Sequence, residues 1–176
     1  VVIDEAYVDF GAESCAGLVD RYDNLLVIQT MSKSRSLAGA RLGYGIANRA
    51  LIRDMNTLRN STNPYNINSM TMAAAEGILE DEAYTAENCK RIMTNRVFTV
   101  NELKHLGFEL TDSVGNFIFM KHPGIDGRYI YETLKAKGVL VRHFTKARIC
   151  QYNRVTIGSL GQMKTFLSKL EEIVNC

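Results

Sequence analysis

A lysine between two serines lies early in the chain, soon after an apolar run. The lysine is Lys33, the serines are Ser32 and Ser34, and Arg41 lies eight residues beyond the lysine. A lysine amine can form a Schiff base with an aldehyde. Hydroxyl groups and a guanidinium can hold a phosphate, since arginine matches the phosphate oxygens with two parallel N–H donors. The segment therefore indicates an anchor for a phosphorylated carbonyl compound.

Two short apolar runs predict the elements that position this segment. Residues 1–3 lead to Asp4, and residues 25–28 lead to Thr30. Neither run alternates apolar and polar residues, which is typical of strands buried on both faces in a parallel sheet covered by helices. Ligands of open α/β sheets bind outside the carboxyl ends of the strands. We therefore expect Asp4 and Lys33 at the same edge of one sheet.

On spacing alone, ordinary structural roles explain the same residues. Lys33 is then a solvated loop lysine, and Arg41 is a surface arginine. Asp4 by itself is more often a helix N-cap or a turn residue than a cofactor partner. Tyr7 by itself is more often a half-buried structural tyrosine. Residue types and spacing leave both explanations open.

The rest of the first half predicts one further strand and three helices. The strand is expected at 42–47, and two of the helices at 48–60 and 81–106. The third helix lies between these two and is rich in small residues. We expect it to bury four side chains at helical spacing, which are Met70, Ala73, Ala74 and Ile78.

The second half of the chain predicts shorter elements joined by turns. Asp126 is a candidate N-cap for a helix that ends at Gly138, and Ser159 with Gln162 fits a capping box at the start of a last helix. Strands are expected at 108–110, 116–120, 139–141 and 155–157. The order of the elements divides the chain into part of a large sheet (1–66), a connecting helix (67–80) and a smaller α/β domain (81–176).

Composition argues against several classes of partner. The net charge is +2 and the basic residues are dispersed, whereas a nucleic-acid surface concentrates them. No apolar run approaches the roughly 20 residues of a membrane span, and no signal-peptide pattern is present. The cysteines and histidines lack the spacing of metal ligands. We therefore expect a cytoplasmic protein with reduced thiols that binds no nucleic acid, membrane or metal.

The segments around Lys33 resemble the signature of fold-type-I pyridoxal-phosphate (PLP) aminotransferases, and most closely the histidinol-phosphate aminotransferase group. The resemblance is carried by residues 4–7, 30–34 and 37–44. Supporting matches follow in the family's order as far as about residue 159, at 63–69, 113–117, 141–142 and 154–158. The resemblance implies an α/β fold, made of part of the PLP-binding large domain and the smaller C-terminal domain.

The resemblance also implies how PLP is held. Lys33 is the catalytic residue, which binds the cofactor covalently and shuttles a proton. Asp4 keeps the pyridine nitrogen protonated, so that the ring works as an electron sink. Tyr7 hydrogen-bonds the phenolic oxygen of the cofactor. Ser32 and Arg41 bind its phosphate.

Two further matches imply the substrate. Arg154 corresponds to the arginine that binds the anionic end of the substrate, and Arg142 to a second arginine for a substrate phosphate. The implied reaction transfers an amino group between glutamate and imidazole-acetol phosphate in histidine biosynthesis, in a homodimer. One alternative is an enzyme like threonine-phosphate decarboxylase, which resembles this group in sequence. The other is a non-catalytic binding module, although such a module has no reason to keep the full set of residues around Lys33.

The family's first half has no counterpart in this sequence. The chain begins with Val1 rather than methionine, inside an expected strand, so we expect a piece of a longer protein. In the family, the first half supplies the residue that stacks on the pyridine ring and part of the phosphate cup. We therefore expect the 176-residue chain to be inactive by itself.

Overall fold

The computed structural model describes residues 1–175, and Cys176 lies outside the described part. The chain divides into two compact units, Val1–Cys89 and Lys90–Cys176. The long helix α3 (Glu82–His105) contains the boundary between them. Within the described residues, no helix combines the length and the apolar character that crossing a membrane requires.

The first unit contains a three-stranded sheet in the order β1 (Val2–Asp4), β2 (Leu26–Thr30), β3 (Gly43–Ala47). Strands β1 and β2 are parallel, while β3 runs antiparallel to β2. The prediction that the first two strands are buried on both faces is wrong. The side chains of Val2 and Ile28 are 62% and 39% exposed, because no described element covers them.

Two helices follow the sheet in the first unit. Helix α1 (Arg49–Thr62) begins where the Asn48 side chain accepts a hydrogen bond from the Leu51 amide, and no residue of α1 is fully buried. Helix α2 (Ser69–Glu80) buries Thr71 and Ala75. The face predicted for burial is therefore wrong for three of its four residues. Ile78 is partly buried, whereas Met70, Ala73 and Ala74 are exposed.

The second unit contains a four-stranded antiparallel sheet in the order β4-β5-β7-β6. The strands are β4 (Glu109–Leu110), β5 (Phe117–Lys121), β6 (Arg142–His143) and β7 (Asn153–Thr156), and the remaining helices are α4 (Gly127–Ala136) and α5 (Leu160–Val174). Thirteen buried apolar residues form one core in this unit. Helix α5 supplies five of them at helical spacing, which are Met163, Phe166, Leu167, Leu170 and Ile173.

Local signals predicted the helix ends of the second unit well. Asp126 caps α4 through its side chain, and Ser159 with Gln162 forms the expected capping box at α5. Gly138 has a positive φ of 80° just after α4, the backbone conformation that favours glycine. The strand predicted at 139–141 is wrong. The Val139 amide bonds back to the Leu134 carbonyl, which completes the helix end, and the strand begins only at Arg142.

Candidate active site

The carboxyl ends of β1 and β2 lie side by side. The two strands are parallel, with Asp4 opposite Ile28, and Asp4 and Thr30 are their last residues. The Asp4 carboxylate is exposed, and its Oδ1 accepts a hydrogen bond of 3.0 Å from the Ala6 amide. This contact fixes one oxygen and leaves the carboxylate at the surface, where a ligand can reach it.

Lys33 and Tyr7 meet beyond these strand ends. The Lys33 Nζ atom lies 5.6 Å from the centroid of the Tyr7 ring, within the range of a cation–π interaction. Lys33 is exposed and Tyr7 is partly buried. The structure therefore brings together a reachable amine and a phenol from two loops that are distant in sequence.

Backbone hydrogen bonds close the loop that carries Lys33. The Met31 amide donates to the Leu42 carbonyl at 3.1 Å. Because Ser32 follows Met31 and Arg41 precedes Leu42, this bond brings the backbones of the two predicted phosphate ligands close together. The Thr30 hydroxyl accepts a hydrogen bond of 3.1 Å from the Ser32 amide, which further orders the start of the loop.

Two residues of this loop have unusual backbone angles. Ser36 and Arg41 both have a φ of 56°, a left-handed conformation that is uncommon outside glycine. The Arg41 guanidinium donates a hydrogen bond of 3.2 Å from Nη1 to the Ala38 carbonyl, within its own turn. Residues held in such conformations cost about 1–3 kcal/mol each and cluster at functional sites. The strain around Lys33 therefore supports a functional loop.

The two predicted substrate arginines lie on adjacent strands of the second unit. Arg142 on β6 is directly opposite Arg154 on β7. Like charges directly opposite each other destabilise a strand pair. Such a pair is most favourable when an anion lies between the two guanidinium groups.

Both arginines lie against aromatic rings, and neither forms an ion pair with a carboxylate within residues 1–175. The guanidinium carbon of Arg154 is 5.2 Å from the Phe117 ring centroid, and that of Arg142 is 5.7 Å from the Phe144 ring centroid. The Nε atom of Arg154 is buried and has no hydrogen-bond partner among the described residues. A buried donor without a partner is costly, so this atom is suited to an anionic ligand.

Sequence reasoning missed the buried carboxylate that follows Asp4. Glu5 is 8% exposed and accepts hydrogen bonds from the Ser14 hydroxyl, the Cys15 amide and the Gln29 side chain. Burial raises the pKa of the Glu5 carboxyl, but these hydrogen bonds outweigh it and hold that pKa below its ordinary value. An acidic residue directly after an apolar run was the available signal, but the partners of Glu5 come from distant positions.

A second missed contact joins the two loops of the site. The Ser34 hydroxyl donates to the Asp9 carboxylate. Ser34 directly follows Lys33, and Asp9 lies two residues beyond Tyr7. This hydrogen bond therefore connects the backbone segments that carry the amine and the phenol.

Similarity to known proteins shows which family the chain belongs to. The family model for aminotransferase class I and II matches residues 1–170. The chain belongs to this family. The α/β fold is accordingly that of part of a fold-type-I PLP-dependent aminotransferase, as the resemblance implied.

The more specific similarity is to histidinol-phosphate aminotransferases. The chain is 46% identical to histidinol-phosphate aminotransferase 2 of Dechloromonas aromatica over 173 residues, which are 98% of this chain and 49% of that protein. It is also 46% identical to the enzyme of Acinetobacter baylyi, covering 99% of this chain and 48% of that protein. The chain thus spans about half the length of these relatives.

Solved structures show the same similarity in three dimensions. The histidinol-phosphate aminotransferase of Clostridium acetobutylicum superimposes with a TM-score of 0.89 at 28% identity, over 99% of this chain and 54% of that one. An L-threonine-O-3-phosphate decarboxylase of Porphyromonas gingivalis shares the fold, with a TM-score of 0.84 at 23% identity, over 99% of this chain and 55% of that one.

Proposed function

We propose that the full-length protein is a PLP-dependent aminotransferase, with Lys33 as its catalytic lysine. The observation that carries the proposal is the meeting of two loops at the carboxyl ends of β1 and β2. There the Lys33 amine lies 5.6 Å from the Tyr7 ring, beyond the strand that ends in Asp4. Membership of the aminotransferase family supports the same chemistry.

The residues present fit PLP. Lys33 offers an exposed amine for the aldehyde, and Asp4 offers an exposed carboxylate for the ring nitrogen. Ser32 and Arg41 flank the hydrogen bond that closes the lysine loop, so a hydroxyl and a guanidinium are available for the phosphate. When bound, the cofactor supplies an electron sink for bonds at the substrate's α-carbon.

The protein's own side chains then have separate tasks. The Asp4 carboxylate holds the proton on the ring nitrogen, because a nearby negative charge favours the charged form of a base. The Tyr7 hydroxyl binds the phenolic oxygen and orients the ring. The Lys33 amine moves a proton at the substrate's α-carbon, as a positioned general base and acid.

Arg142 and Arg154 are proposed to bind the anionic groups of the substrates. A guanidinium matches carboxylate and phosphate oxygens with paired donors. The buried Nε atom of Arg154 lacks a partner among the described residues, and the two arginines are opposite each other on neighbouring strands. This pair suits one substrate with a carboxylate and another with a phosphate.

The proposed substrates are glutamate with 2-oxoglutarate, and the imidazole-acetol phosphate and histidinol phosphate pair of histidine biosynthesis. The names of relatives that are 46% identical over nearly the whole chain support this choice. A threonine-phosphate decarboxylase activity is the second candidate, since an enzyme of that name shares the fold. A non-catalytic module is the third, and bound cofactor would argue against it.

The same family resemblance supports the assembly and the domain division. We propose a cytoplasmic homodimer for the full-length protein. We also propose that residues 1–66 complete a large PLP-binding domain, that 67–80 connect the domains, and that 81–176 form the small domain.

A spectrum of the full-length protein tests the cofactor assignment. The protein as purified should show a visible absorption band of PLP bound to a lysine. Borohydride should remove the band and leave the cofactor attached to the peptide that contains Lys33, as peptide mass mapping would show. A cofactor fixed to another lysine would refute the role of Lys33.

Product analysis tests the reaction. Histidinol phosphate with 2-oxoglutarate should yield glutamate without gas release. Release of carbon dioxide from threonine phosphate would instead support the decarboxylase. A colourless protein that reacts with neither substrate would support the non-catalytic module.

A further inference from the structure

A buried carboxylate lies directly behind the proposed cofactor residues. The two oxygens of Glu5 accept three hydrogen bonds, from the Cys15 amide at 2.6 Å, the Ser14 hydroxyl at 2.7 Å and the Gln29 side chain at 2.8 Å. The Glu5 amide also donates to the Ile28 carbonyl at 2.8 Å. Glu5 is thus bound through its backbone and its side chain, immediately after Asp4.

The hydrogen bonds of Glu5 continue across the whole sheet. The Gln29 side chain donates to Glu5 and accepts a hydrogen bond of 2.7 Å from the Tyr44 hydroxyl. Gln29 on β2 and Tyr44 on β3 are opposite each other in the strand register. The series therefore joins the residue that follows β1 to β2 and β3, and each hydrogen bond is donated in the direction of the Glu5 carboxylate.

The anchored carboxylate of Glu5 restricts the backbone next to it, including Asp4. Asp4 is exposed while Glu5 is 8% exposed, so the two neighbouring carboxylates face different surroundings. Glu5 cannot move without breaking charged hydrogen bonds in a buried environment, which are stronger than neutral ones. Because one peptide bond separates the two residues, an anchored Glu5 limits the positions that the Asp4 carboxylate can take.

We propose that Glu5 is a positioning residue for cofactor binding, which acts through Asp4 and Tyr7 without touching the cofactor. The proposal rests on the proposed function, since it concerns where PLP is held. Glu5 holds the segment after β1 against β2, and the Asp9–Ser34 hydrogen bond holds the end of the same segment against the lysine loop. Tyr7 lies in the segment between these two hydrogen-bonded positions.

The substitution Glu5→Gln in the full-length holoenzyme tests the proposal. An amide has only one acceptor oxygen, so either the Cys15 amide or the Gln29 side chain then faces another donor. We expect the dissociation constant for PLP to rise about tenfold, the effect of weakening one charged hydrogen bond. Equilibrium dialysis of the apoprotein with PLP would measure it.

A pH titration of the visible absorption band gives a readout that a purely structural role leaves unchanged. The midpoint of this titration depends on how firmly the ring nitrogen would keep its proton, because a positive charge on the ring disfavours a second positive charge nearby. A displaced Asp4 holds the ring proton less firmly. We therefore expect the midpoint of the titration to rise by about one pH unit in Glu5→Gln.

Two further variants make the outcome decisive. Glu172→Gln removes a carboxylate from the surface of α5 and should leave both measurements at the wild-type values. Tyr44→Phe removes the far end of the hydrogen-bonded series and should change both in the same direction as Glu5→Gln, by a smaller amount. It serves in place of Glu5→Gln if that variant does not fold.

Each result has a distinct meaning. Wild-type PLP affinity and an unchanged titration midpoint in the folded variants, together with a lower melting temperature, would show that Glu5 only stabilises the fold. A wild-type protein that binds no PLP would overturn the proposed function, and the positioning role with it. A wild-type protein that binds PLP alongside unaffected variants would overturn the positioning role alone.

Discussion

The two units hold their proposed functional residues in different ways. The first unit carries Lys33, Tyr7 and Asp4 on loops and at a strand end, tied by polar contacts such as those of Glu5. The second unit carries Arg142 and Arg154 on paired strands. One site is therefore positioned by side-chain hydrogen bonds, and the other by a regular backbone ladder.

The apolar cores of the two units also differ, in the number of residues that each contains. The second unit has one core of thirteen buried apolar residues, whereas the first has two clusters of three. In the first unit an apolar groove of about 820 Å³ lies open, lined by residues that include Leu42, Met55 and Met72. Changes in the first unit should therefore affect chemistry more than stability, and changes in the second unit can affect either.

The largest effect is expected at the lysine of the first unit. Lys33→Ala in the full-length enzyme should lower kcat by on the order of 10⁴-fold, because the proton-transfer group is lost. PLP should still bind through Asp4, Ser32 and Arg41. Steady-state kinetics and a cofactor assay measure the two effects, and Lys104→Ala, at an exposed lysine of α3, is the control. Turnover near the wild-type rate would remove Lys33 from its role.

The arginine pair of the second unit should show a smaller and substrate-dependent effect. Loss of a charged partner in a pocket costs roughly 2–5 kcal/mol, or about 30-fold to several thousand-fold in kcat/KM. Arg154→Ala should impair both half-reactions. Arg142→Ala should impair the half-reaction with the phosphorylated substrate more than the one with glutamate.

Single-turnover kinetics with each substrate separates the two arginines. Arg128→Ala changes an exposed arginine of α4 and should leave both half-reactions near the wild-type rates. Equal losses in both half-reactions for Arg142→Ala and Arg154→Ala would contradict the separate roles of the two arginines, while the aminotransferase assignment would stand.

Substituting one buried valine in each unit compares how much the two cores contribute to the free energy of unfolding. Val155 lies in the large core and Val27 in a cluster of three, and they are 3% and 0% exposed. Val155→Ala should lower the free energy of unfolding of its unit by about 2–3 kcal/mol, and Val27→Ala by about 1.5 kcal/mol. The dense core loses more contacts around the deleted methyl groups.

Amide hydrogen exchange followed by mass spectrometry would measure this pair, since it reports on each unit separately. A larger loss from Val27→Ala than from Val155→Ala would show that the small clusters of the first unit are packed as tightly as the core of the second.

The smallest effect concerns a surface carboxylate of the second unit. The hydrogen bonds from Lys137 and Lys169 lower the pKa of Glu172 to about 2. A carboxyl whose folded pKa is depressed stabilises the fold above its unfolded pKa, and loses that contribution as the pH falls through its folded pKa. Glu172→Gln should therefore lower the melting temperature slightly at pH 6, and the difference from wild type should vanish near pH 2.

Melting curves between pH 6 and pH 2 would test the sign of this effect. Glu171→Gln removes the same charge from the next residue of α5 and is the control. A difference that grows as the pH falls would contradict the stabilising ion pairs.

Local signals in the sequence predicted much of the fold. Asp126, Gly138 and the pair Ser159 and Gln162 marked helix ends correctly, because capping depends on residues within one turn of each other. The strands ending at Asp4 and Thr30 were also correct. The lysine loop could therefore be assigned to the end of a strand from local sequence signals alone.

Only the tertiary structure decided which residues meet across the chain. The opposition of Arg142 and Arg154 depends on a strand pairing, and the failed strand at 139–141 shows that apolar residues alone do not specify where a pairing begins. The partners of Glu5 come from positions as far apart as Ser14 and Gln29. The exposure of β1 and β2 likewise depends on which elements cover them, and it cannot be predicted from the residue types of the strands. Capping and periodicity act over a few residues, whereas register, burial and hydrogen bonds between loops are set by the folded chain as a whole.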